Sequence, residues 1–184
     1  MKIFRIAILI FIIACQGSAQ SQLYFTKSGR ISFISKAPLE DIEAVNKTVD
    51  CLLNSSTGSI QFSVLIKGFE FQKALMQEHF NENYMESNKF PRASFKGTII
   101  NNAEINYSIK GTYKAVVKGE LTIRGISKTI ETTGIVRVND NIQVEANFSV
   151  QISDYNISIP SLVKDKVANS VKVSVQARLE PYKK

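Results

Sequence analysis

The segment from Ser170 to Leu179, SVKVSVQARL, alternates strictly between apolar and polar residues. Val171, Val173, Val175, Ala177 and Leu179 fall on one side, and Ser170, Lys172, Ser174, Gln176 and Arg178 on the other. A period of two places successive side chains on opposite faces of a strand, which leaves one dry face and one wet face. The same alternation runs through NIQVEANFSVQIS, with Ile142, Val144, Ala146, Phe148, Val150 and Ile152 on the dry side. It runs also through SIQFSVLIK, where Ile60, Phe62, Val64 and Ile66 share a face. One-sided strands of this kind belong to antiparallel sheets, so the chain must be built mainly from them.

Residues that tolerate tight turns separate these runs: KSG at 27–29, NSSTG at 54–58, INNAE at 100–104 and NDN at 139–141. The pattern predicts strands at about 22–26, 30–36, 42–53, 59–67, 93–100, 104–111, 114–124, 127–138, 142–152 and 170–180. About eight to ten such strands in succession imply a closed barrel or a sandwich. No internal repeat of fixed period and no linker divides the chain.

Alternation fails only between residues 71 and 87. There Met76, Phe80 and Tyr84 recur every fourth residue, with Gln77, Glu78, Asn81 and Glu82 mostly opposite. This spacing predicts one amphipathic helix whose stripe lies over an open end of the barrel. Asn88 and Pro91 end it before the next strand.

The first residues read as a leader. Lys2 and Arg5 precede the apolar run Ile6–Ala14, and GSA before Gln20 suits cleavage after Ala19. The run is shorter than the roughly 20 apolar residues of a membrane span. The chain is therefore expected to be exported, periplasmic or extracellular, with residues 1–19 as signal peptide and 20–184 as a single domain. IIAC ending at Cys15 offers the minor alternative of a lipid anchor at that cysteine. Loss of Lys2 and Arg5 lowers the formal charge from +7 to +5, and the remaining basic residues are scattered, which does not fit nucleic acid. Cleavage leaves Cys51 alone, so no internal disulfide forms; among apolar neighbours it reads as a buried small hydrophobe.

The chemical inventory is sparse. His79 is the only histidine, beside Glu78 and three before Glu82, and a zinc site needs more ligands than it can gather. There is no phosphate-binding glycine loop, no HExxH and no GxSxG. No catalytic residues, metal or cofactor are expected, and the protein reads as non-enzymatic. N-x-[ST] triplets start at Asn46, Asn54, Asn106, Asn147 and Asn156. A barrel of about eight strands has room either for packed side chains or for one small ligand. The pattern alone leaves open a filled, structural or stress-related interaction domain and a container for a long apolar chain.

Two stretches carry a resemblance. GELTIRGISKTI, Gly119–Ile130, and KFPRASFKGTI, Lys89–Ile99, resemble the YceI-like family of lipid- and polyisoprenoid-binding barrels. Gly119, Leu121, Thr122, Ile123, Gly125, Ile126, Ser127 and Lys128 match its hairpin, and His79, Phe80, Phe90, Pro91 and Phe95 its helix-to-strand passage. The resemblance implies an extended, lipocalin-like antiparallel β-barrel with the helix over one end. It further implies a long-chain amphiphile of isoprenoid, fatty acid or fatty amide type in the bore, for carriage or sequestration. The residues expected to line it are Phe62, Val64, Met76, Phe80, Phe95, Ile99, Tyr107, Leu121, Ile123 and Phe148. A homodimer and peripheral membrane contact stay open.

Overall fold

The computed structural model describes residues 23–36, 38–160 and 167–182. The expected leader, its cleavage site and Cys15 lie outside them. Nine strands follow in chain order: β1 (Leu23–Lys36), β2 (Asp41–Asn54), β3 (Ser59–Leu65), β4 (Glu70–Phe71), β5 (Arg92–Ile99), β6 (Gly111–Ile123), β7 (Ile126–Val138), β8 (Ile142–Gln151) and β9 (Ser170–Pro181). One α-helix is found among the described residues, α1 (Ala74–His79), and it continues into a wider π-type turn over Phe80–Tyr84.

Each strand pairs antiparallel with its neighbours in the order β1-β9-β8-β7-β6-β5-β3-β2, and β1 also pairs with β2. The sheet thus closes into an eight-stranded antiparallel barrel, which removes its edges. The two residues of β4 continue the edge of β3 along the first half of β2. Between β6 and β7 the pairing runs up to Ile123–Ile126, so Arg124 and Gly125 make a two-residue turn. Both have positive φ, 51° and 74°, as the turn that matches strand twist requires.

Three expected elements differ. The separate strands 22–26 and 30–36 are one strand, β1, with a register shift between Thr26 and Gly29. An extra residue there reverses the alternation, so Tyr24 and Thr26 are buried before it and Ser35 after it. The expected strand at 104–111 is absent: Asn102–Glu104 is a short 3-10 turn followed by irregular chain. Side-chain hydrogen bonds outcompete a ladder there. Asn102 Nδ2 donates to the Ser55 carbonyl at 2.8 Å, and the Tyr107 hydroxyl donates to Asn102 Oδ1 at 2.7 Å. The helix is also shorter than the 71–87 window, because its last turn widens at Phe80.

Packing divides the barrel along its length. At one end Leu53, Ile99, Ile142 and Leu179 are fully buried beside Tyr24, Cys51, Ala115 and Val136, and Ile105 from the irregular segment packs onto them. Burial pushes the Cys51 thiol pKa upward, away from the reactive range. Towards the other end Val49, Val64, Phe69, Leu121 and Val150 are buried too, but the larger inward side chains Phe62, Phe95, Ile123 and Phe148 are only partly buried and surround open space. One half is a core, and the other is hollow.

Candidate functional site

The hollow half holds a cavity of about 340 Å³, within the ~300–1,000 Å³ typical of small-molecule sites. Its wall is made by the dry faces that the sequence alternation defines. Val64 and Phe62 come from β3, Phe95 and Ile99 from β5, Leu121 and Ile123 from β6, and Phe148 from β8. Nine of the ten expected residues meet there: these seven, with Met76 and Phe80 from the helical segment. Tyr107 does not. It sits at the closed end against the packed core, held by Asn102, and burial with the nearby Tyr24 pushes its hydroxyl pKa up to about 12.

The helical segment covers the open end by one aromatic anchor. The Phe80 ring lies 5.0 Å from that of Phe71, 5.5 Å from Phe33 and 5.7 Å from Phe69, centroid to centroid. Such spacings suit offset and edge-to-face contacts. Phe33 lies on β1, Phe71 on β4 and Phe69 just before it, where alternation alone does not show that they converge. The close spacing of Phe69, Phe71 and Phe80 in the chain is the signal of this in the sequence.

Two polar tethers hold the ends of the cover. At its start, Lys73 Nζ donates to Glu40 Oε1 at 2.5 Å, joining the helix to the turn between β1 and β2. At its end, the Arg124 guanidinium at the β6–β7 turn pairs with the Glu86 carboxylate and donates to the Asn156 carbonyl. Phe90 packs beside the same turn, where a Cβ on Gly125 would come within 2.8 Å of its ring. The two stretches that carry the family resemblance therefore touch each other at the cavity rim.

A second anchor stands on β2. Asn46 is fully buried; its amide donates to the Leu65 carbonyl at 2.9 Å, and its oxygen accepts from the Thr48 N–H at 2.8 Å. This fixes the bend where β3 ends and leaves no room for a glycan at the first N-x-[ST] triplet.

The chemistry available to the cavity is limited. His79 is exposed and borders it beside Met76 and Phe80. Among the described residues no group of three or more His, Cys, Asp or Glu side chains could hold a metal ion. The lining includes Glu40 and Glu145 but, among the described residues, neither lysine nor arginine. Polar groups within it are few, Ser35, Ser94 and Thr132 among them.

Solved structures share this architecture. A polyisoprenoid binding domain from Saccharophagus degradans, implicated in plant cell wall breakdown, superposes with a TM-score of 0.76 at 13% identity, covering 89% of this chain and 100% of that one. BcnA of Burkholderia cenocepacia aligns with a TM-score of 0.66 at 17% identity, over 83% of this chain and 96% of its own. The YceI protein of Campylobacter jejuni aligns with a TM-score of 0.61 at 14% identity, over 82% and 91% respectively. At such identities the likeness is one of fold. A search of curated proteins finds no match. The YceI-like domain model, by contrast, matches residues 18–179, nearly the whole chain, and the protein belongs to that family.

Proposed function

We propose that this protein is an exported, non-enzymatic binding protein that holds one long-chain amphiphile in the hollow half of its barrel, for carriage or sequestration. The observation that carries the reading is the apolar cavity of about 340 Å³ beneath a helical cover, walled by residues from β3, β5, β6 and β8. Dry, concave and sparsely polar surfaces favour apolar chains, because burying the chain gains roughly 0.8 kcal/mol per methylene without unmet hydrogen bonds. The polyisoprenoid binding domain of Saccharophagus degradans supports the same class of ligand.

The lining further favours a neutral head group. Of the carboxylates beside the cavity, Glu40 is paired with Lys73 and Glu145 with Arg137, and among the described residues no lysine or arginine lines the cavity to meet a charged head. A charged head buried without a partner costs far more than a hydrogen-bonded neutral one. An isoprenoid alcohol, quinone or fatty amide thus suits the site better than a fatty acid. A filled barrel without ligand accounts for the closed half of the molecule but not for the hollow half.

Native mass spectrometry of protein purified from its own host tests the proposal. A reproducible added mass, extractable into organic solvent as a neutral lipid, is the expected result. A clean apo mass under gentle ionisation would overturn it.

A further inference from the structure

Gly97 of β5 stands opposite Gly119 of β6 in the barrel wall, and the ring of Phe95 covers both. A Cβ on Gly97 would lie 2.5 Å from Phe95 Cζ, and one on Gly119 would lie 2.8 Å from the same atom. Residues 95 and 97 share the inward face, so the ring leans along the strand towards the closed end instead of crossing the bore. The missing side chains are what make that posture available. Phe95 accordingly touches two groups of residues: the packed core of the closed end, and the cluster around Leu121 and Val150.

The cavity does not stop at Phe95. It also reaches Ile60, Ile99 and Val136, at the border of the packed half. Space there comes from a row of small residues that are successive register partners, Ala115 on β6, Gly134 on β7 and Ala146 on β8. The one cavity therefore runs from an outer part under the cover, the outer chamber, to an inner part beside this row, the inner chamber, with Phe95 on the wall between them.

We propose that the glycine pair is a recess which keeps the Phe95 ring out of the lumen, and that this recess determines the length of chain the protein accepts. The inference rests on the binding reading above and adds which residues select among chains. With the ring housed, a long chain passes from the outer chamber to the inner. With the ring displaced, only the outer chamber remains, and short chains alone fit.

The test uses the purified protein, a fluorescent long-chain probe, and competition by decanol and octadecanol. In Phe95→Trp the larger ring cannot be housed over the glycines. Affinity for octadecanol should fall about tenfold or more while that for decanol stays within about threefold. Phe95→Leu, which needs no recess, should keep the octadecanol preference of the unaltered protein. At Gly119 a Cβ would come within 2.4 Å of the Gly97 Cα and of the Lys96 carbonyl, backbone that truncating Phe95 cannot relieve, so the recess is tested at Phe95, with thermal unfolding recorded for each variant. An unchanged preference in folded Phe95→Trp, or a lost preference in Phe95→Leu, overturns the recess while leaving the binding reading intact. If the unaltered protein takes up neither alcohol nor probe, the binding reading fails and the recess with it.

Discussion

Arg124 and Glu86 form an ion pair across 38 positions of sequence, and both hold left-handed backbone angles, φ 51° and 47°. Asn156, whose carbonyl accepts from the same guanidinium, has φ 55°, and these are the only non-glycine residues with positive φ among those described. Such conformations cost about 1–3 kcal/mol each and persist where the surroundings over-determine them. Here three strained loops meet in one clasp at the edge of the cavity.

Arg124→Gln should therefore lower stability by about 1–3 kcal/mol, the range for losing hydrogen bonds to a charged group. It should also speed amide hydrogen exchange between residues 74 and 90 more than in the strands. Exchange that rises equally everywhere would show that the clasp does not hold the cover.

The two halves of the barrel should answer differently to truncation. Leu53 and Leu179 are 0% exposed, so either Leu→Ala change should cost about 2–5 kcal/mol in chemical unfolding. Phe148→Ala borders an existing cavity and strands fewer partner atoms, so it should cost less than the ~3–5 kcal/mol of a Phe→Ala change in a filled core. Equal or greater loss at Phe148 would mean that half is packed.

Much of this was legible in the sequence. Strict alternation in β8 and β9 assigned Phe148 and Val175 to the interior, and they are there. The four-residue spacing of Met76, Phe80 and Tyr84 placed a helical stripe over an open end of the barrel, and all three line the cavity found there. Tyr107 was placed by the same rule in a strand that does not form. Its segment is ruled by side-chain hydrogen bonds that Asn101 makes with Lys114 and Val116 and Asn102 with Ser55, partners distant in sequence that no periodicity records. The division into packed and hollow halves was hidden as well. It depends on which residues share a height on the barrel, a matter of register between strands.

Asn46→Ala should destabilise the protein by about 2–3 kcal/mol, since it leaves the Leu65 carbonyl and the Thr48 N–H without their buried partner. Produced in a glycosylating host, the folded protein should carry no sugar at Asn46. A glycan at that site, found by peptide mass spectrometry, would contradict its burial.

Tyr107 predicts alkaline sensitivity. Its pKa is raised from 10.0 to about 12 in the folded state, so folding favours the protonated hydroxyl. That contribution is complete below the unfolded value of 10.0 and is lost as pH rises through the folded value of about 12. The melting temperature should fall across this window, and by less in Tyr107→Phe than in the unaltered protein. Parallel curves for the two proteins would remove Tyr107 as a cause.

The central claim is that the outer half of the barrel receives a long apolar chain, and uptake of a fluorescent long-chain probe by Phe148→Trp tests it most directly. The account predicts that the unaltered protein binds the probe one to one. The variant should keep its melting temperature within a few degrees yet lose most uptake, because the indole fills space that the chain would occupy. Overpacking a filled core would instead cost roughly 1–3 kcal/mol. Strong destabilisation of the variant, together with no uptake by the unaltered protein, would contradict the account.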